Sequence, residues 1–211
     1  MSEIILTGWD VLDEARAMLR AAAARVGPGG WARPTPCTQW TAAQVLQHAA
    51  LDQRVWGAAL AGKAMPDENP FAPSGQLGAD PLAYTDKALI ESAPAWSVAG
   101  AATVPTPLPQ GEMPPADAAG AAALDAAIHT WDIALATGQG SPLTPALARA
   151  LRPVAEGIVE PLRAYGAYAQ ALEAGPGSDE AAALLCYLGR RPDWAAALPG
   201  GTDREALTGR H

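Results

Sequence analysis

Apolar residues recur at helical spacing through most of the chain, and clusters of proline and glycine cut that pattern into segments. Trp9, Leu12, Ala15, Ala17, Leu19 and Ala23 predict a first helix over about 9–25, ended by Gly27-Pro28-Gly29-Gly30. Thr41 and Gln44 have the spacing of a capping box and open a second helix reaching about Ala61. Val45, Ala49, Trp56 and Leu60 form its apolar stripe. Residues 63–80 read as loop, and a third helix follows over about 81–93. The prolines of 100–115 make that connection hostile to helix. A fourth helix runs from about Pro115 to Thr137, with Gly138 placed to end it. Thr144-Pro145 opens a fifth, which Pro153 and Pro161 are expected to kink or split. Ser178 is the expected cap of a final helix ending near Gly189, and the last ten residues read as frayed.

The pattern predicts an all-α fold over residues 1–211, taken as a single domain, with long Pro-rich loops between the helices. Composition agrees, with alanine the commonest residue and aromatics only 6%. A chain that is 49% hydrophobic can bury a core without disulfides. Its seven tryptophans are expected to fill that core rather than to stack on a ligand. The net charge of −8 argues against a nucleic-acid partner. No apolar run is long enough for a membrane span, and the first residues lack a basic leader. The expectation is a cytoplasmic monomer or homodimer acting on a small molecule.

Candidate chemistry gathers on two helices. His48 and Asp52 are four residues apart on the second. Asp125, His129 and Asp132 lie on one stripe of the fourth. If those helices pack together, His48, Asp125 and His129 can converge as a three-ligand metal site with an open position. The same set serves non-haem Fe(II) oxygenases. It also fits the wet face of an amphipathic helix, with His48 a hydrogen-bonded core residue. One observation favours a partner: no Lys or Arg occurs between Lys87 and Arg149. Carboxylates and imidazole among Ala122, Ala126, Ile133 and Ala136 therefore lack a local cation.

Other residues divide between two readings each. Cys37 is a reactive thiol or a small loop-packing residue, and Cys186 lies in an apolar helix and reads as core. Arg190-Arg191 fits an anion site or a solvated helix end. Loops 63–80 and 100–115 are long enough to expect one of them at the mouth of the site. Phe71, Met65 or Met113 would form an apolar wall there.

Three ordered segments resemble the DinB-like four-helix-bundle superfamily, in its mycothiol-dependent maleylpyruvate isomerase N-terminal branch. They are Pro34-Thr35-Pro36-Cys37-Thr38-Gln39-Trp40-Thr41 running to His48, His129-Thr130-Trp131-Asp132-Ile133-Ala134 with Ala136-Thr137-Gly138, and Leu188-Gly189-Arg190-Arg191-Pro192-Asp193-Trp194. The resemblance implies a DinB-like bundle with extra C-terminal helices and a divalent metal on His48, Asp125 and His129. Zn is the expected ion, with another divalent metal such as Ni as an alternative. It further implies a mycothiol-type low-molecular-weight thiol held as thiolate, and S-transferase or isomerase chemistry. Asp52 or Asp132 would then orient a ligand histidine or move a proton. Asp125 stands where the isomerase branch has glutamate, and the sequence shows no second α+β domain. The expectation is a single-domain metal-binding relative, enzymatic or, alternatively, a non-catalytic metal- or small-molecule-binding sequestration protein of the same fold.

Overall fold

A computed structural model describes residues 5–98 and 100–195. Four helices make the bundle: α1 (Asp10–Ala24), α2 (Ala42–Leu60), α3 (Pro81–Ser92) and α4 (Pro115–Thr137). Helices α5 (Pro145–Ala164) and α6 (Glu180–Tyr187) follow, α5 packing on α4 and α6 on α5. Within the bundle α1 and α2 both pack on α4, and α3 packs on α1 and α2. The all-α prediction holds, with one short addition. In the Pro-rich connection, Val104–Pro105 pairs antiparallel with Glu112–Met113. None of the described helices is long and apolar enough to cross a membrane.

The starts of the helices follow local chemistry. Thr41 Oγ1 accepts the Gln44 amide at 3.4 Å, and Gln44 Oε1 accepts the Thr41 amide at 3.0 Å, completing the predicted capping box. Asp80 and Thr144 cap α3 and α5, each followed by proline at the first helical position. Asp179, not Ser178, caps α6: its Oδ1 accepts the Ala182 amide at 2.8 Å. The expected break in α5 does not occur. Pro153 and Pro161 deprive the carbonyls of Arg149 and Gly157 of helical partners, but all four residues are exposed. Water satisfies what proline removes, while Leu147, Leu151, Ala155, Ile158 and Val159 hold the other face against the core.

Helix α4 is buried along nearly its whole length, as expected of an alanine-rich helix that is apolar apart from one polar stripe. The short side chains of Ala118, Ala119, Ala122, Ala123, Ala126 and Ala127 leave room for Leu12, Trp56, Trp96 and Leu151 around it. Trp131 is also fully buried, so these three tryptophans are core, as expected. The frayed tail expected at the C terminus lies outside the described residues.

Candidate metal centre

Helices α2 and α4 bring their polar side chains to one place. His48 Nε2 lies 3.2 Å from Asp125 Oδ1, and His129 Nε2 lies 3.5 Å from the same oxygen. One ligand atom from each of His48, Asp125 and His129 falls within 4.8 Å of the others. Donors about 2.0–2.1 Å from one tetrahedral ion stand about 3.3 Å apart. The two separations from Asp125 Oδ1 match that spacing, and the wider separation within the cluster would have to close for all three donors to reach one ion. Asp125 Oδ2 is buried and has no hydrogen-bond partner. Such an atom costs free energy unless something meets it. The donor set, two imidazoles and a carboxylate, is one that Zn accepts.

Each histidine is oriented through its other nitrogen. His48 Nδ1 lies 2.7 Å from the Pro70 carbonyl, which can only accept, so Nδ1 carries the proton and Nε2 points at Asp125. His129 Nδ1 lies 2.9 Å from Asp132 Oδ2, with Nε2 again left for the centre. Asp132 is wholly buried, and Arg190 grips it with two bonds: Nε to Oδ1 at 2.9 Å and Nη2 to Oδ2 at 2.8 Å. Arg190 is thus neither a solvated helix end nor a free anion site. It supplies the cation that residues 88–148 lack.

Burial alone would raise the Asp132 pKa, but the Arg190 charge and the bonds from His129 and Arg190 bring it down to about 2. Burial would lower that of His48. The Asp125 charge and hydrogen bond, the Asp52 charge and the Pro70 carbonyl outweigh it and push His48 up to about 9. Burial likewise opposes ionisation of Asp125, and the charges of His129 and His48 reverse the balance, leaving its pKa lowered. At Asp52 the His48 charge and a bond from Trp56 are not enough. Burial and the Asp125 charge raise it well above the usual carboxylate range, and its Oδ2 has no partner.

The walls come from two loops. Trp40, in the segment before α2, places its ring 4.8 Å from that of His48 and 6.2 Å from that of His129. Loop 63–80 is tied across the first turns of α2. Gln44 Nε2 donates to the Pro73 carbonyl at 3.0 Å, and Gln47 Oε1 accepts the Gly75 amide at 2.6 Å. Gly75 has φ +78°, and a Cβ there would stand 3.2 Å from Gln44 Cγ, so the close approach requires glycine. The loop therefore borders the centre, with the exposed Phe71 ring 6.2 Å from His48. Met113, another of the three proposed wall residues, is buried in the main core instead. It pairs with Val104 in the short ladder, which turns its side chain inward. Cys37 packs beside Trp40 in the smaller core cluster. Burial and the charges of Asp132 and Asp125 push its thiol up to about 11, against Arg190, so it stays protonated at neutral pH.

Helix spacing was enough to find His48, Asp125, His129 and Asp132. It missed Arg190, Trp40 and the Pro70 carbonyl. A signal for Arg190 did exist: a carboxylate in a stretch free of basic residues needs its cation from elsewhere in the chain.

Residues 12–134 match the family described as mycothiol maleylpyruvate isomerase N-terminal domain. The chain belongs to this family. The matched range holds most of α1, all of α2 and α3 and most of α4, including every residue of the three-donor cluster. Two uncharacterized proteins of Mycobacterium tuberculosis, from strains CDC 1551 / Oshkosh and ATCC 25618 / H37Rv, are similar to it. Each is 34% identical over 174 residues, covering 81% of this chain and 85% of the relative. No solved structure matches. For a mycothiol maleylpyruvate isomerase N-terminal domain, a DinB-like helical bundle is the family fold, as found.

Proposed function

We propose that this protein binds one divalent metal ion and uses a low-molecular-weight thiol of the mycothiol type in an S-transfer or isomerisation reaction on a small molecule. His48, Asp125 and His129 would hold the ion, with Zn the first choice for this donor set and Ni another. The observation that carries the reading is Asp125: one oxygen between two imidazole nitrogens, the other buried and bare. A cation bound there would lower the pKa of a coordinated thiol.

The protein's own groups have separable tasks. The Pro70 carbonyl and Asp132 hold each imidazole with Nε2 presented to the centre. Asp52, one helical turn beyond His48, has its carboxyl pKa raised by burial and the Asp125 charge, and would be the group that holds or moves a proton. Trp40 and Phe71 give the mouth an apolar lining that keeps bulk water from the reacting groups.

Cobalt-loaded protein titrated with mycothiol or N-acetylcysteine tests this. A new near-ultraviolet band on thiol addition is expected in the wild type and not in His129→Ala. Cobalt binding with no response to either thiol would contradict the thiol-dependent reading and favour sequestration.

A further inference from the structure

The Asp132 carboxylate joins His129, three residues before it on α4, to Arg190, 58 residues after it and beyond α6. The paired bonds from Arg190 fix the plane of the carboxylate, as a guanidinium fork does. The carboxylate in turn fixes the ring of His129 through Nδ1. Arg190 is delivered by a short arm whose geometry is constrained. Helix α6 ends at Tyr187, and Gly189 turns the chain at φ +78°. A Cβ at Gly189 would stand 2.8 Å from Ala169 Cβ and 2.8 Å from the Gln170 carbonyl oxygen. The base of the arm is latched as well. The Leu172 amide donates to the Cys186 carbonyl at 2.8 Å, and the Arg163 guanidinium donates to the carbonyls of Ala169 and Tyr187.

We infer that Arg190 is a positioning residue for the centre, and that docking of the arm 186–195 is thermodynamically coupled to metal occupancy at His48, Asp125 and His129. The inference rests on the metal reading above. It adds a region that lies beyond the matched residues 12–134. If the docked arm raises affinity for the ion, the ion must strengthen docking of the arm by the same factor. A buried ion pair serving only the fold would hold the arm equally with or without metal.

Hydrogen exchange and metal titration on the full chain separate these cases. The Leu188, Gly189 and Arg190 amides donate to the carbonyls of Leu184, Cys186 and Leu185, so they report on the arm. Zinc is expected to slow their exchange about tenfold or more, while the exposed end of α5 is unaffected. Arg190→Lys keeps the charge but loses the fork, and should weaken cobalt binding about ten- to hundredfold and alter the cobalt visible spectrum. Gly189→Ala removes no charged group and should weaken it in the same direction by moving the arm. Wild-type protein that binds cobalt, with Arg190→Lys binding it equally and arm exchange unchanged by zinc, overturns the coupling and leaves the metal reading standing. A lowered melting temperature in Arg190→Lys with unchanged affinity and spectrum overturns it too. Wild-type protein that takes no divalent ion removes both.

Discussion

Arg16 and Arg190 are both buried, and their surroundings differ. Arg16, on α1, is fully enclosed and donates to the Leu89 carbonyl and, at 3.4 Å, to Ser92 Oγ on α3. Among the described residues no carboxylate pairs with it, and its Nε has no partner. Burial pulls its pKa down to about 10, with only the Asp13 charge opposing. Arg190 meets a wholly buried carboxylate with two good bonds, and the Asp132 charge pushes its pKa up. The two sides of the bundle thus treat charge in opposite ways. Between α1 and α3 a cation is tolerated by neutral acceptors. Between α2 and α4 Asp132 is met by both Arg190 and His129, while Asp125 and Asp52 each keep one oxygen bare among the described residues. Unmatched groups on the otherwise matched side are what mark the centre.

The largest expected effect falls on that side. His129→Ala should abolish binding of the ion while unfolding stays cooperative, because the core holds without it. Metal content and a thermal melt measured together check this, and a variant that is unfolded at room temperature contradicts it. Next is the contrast between the arginines themselves. Arg190→Met strands a buried carboxylate and should cost about 3–5 kcal/mol in a urea melt. Arg16→Met removes a cation that has no counter-ion. The Leu89 carbonyl keeps the Ala93 amide. The change should be within about 1 kcal/mol of neutral, on the stabilising side. Equal losses in the two variants would erase the contrast.

Proton and metal compete at the centre, and the sign follows from His48. Its folded pKa is raised from 6.5 to about 9 in metal-free protein. The stability it contributes is present below 6.5 and is lost as pH rises through about 9. Metal-free protein should therefore melt at a lower temperature at pH 9.5 than at pH 6.5. Metal-loaded protein should not show that His48-dependent loss, because the ion replaces the proton, and metal affinity should increase with pH across the same interval. Metal-free melts in which the His48→Ala variant shows the same alkaline loss as the wild type would contradict this. The smallest effect is expected of Phe71→Ala. With 73% of its surface exposed, its loss should weaken thiol or substrate binding a few-fold in a fluorescence titration, and leave metal affinity unchanged.

Much of this contrast was legible in the residues. Apolar periodicity and the Thr41–Gln44 box located α2, and four-residue spacings put His48, Asp125 and His129 on faces able to meet. Spacing within a helix is local information, and those features are local. Arg190 was legible only indirectly: the stretch around Asp132 lacks a cation, but the one that serves it is 58 residues away and nothing near it indicates burial. Arg16 was hidden in an ordinary amphipathic helix for the same reason. Pro153 and Pro161 misled because both lie on the exposed side of α5 while packing of the opposite face holds the helix together, and which side is packed is a tertiary property. Loop 63–80 reached the centre through Gln44, Gln47 and His48, three side chains of α2 that bond to loop backbone, and no loop composition announces such bonds.

The central claim is that His48, Asp125 and His129 form one metal centre. Elemental analysis of purified wild-type protein, beside His48→Ala and His129→Ala prepared identically, tests it most directly. About one divalent ion per chain is expected in the wild type after incubation with zinc and desalting, and none in either variant. Wild-type protein without bound ion, or variants that retain as much as the wild type, would contradict it.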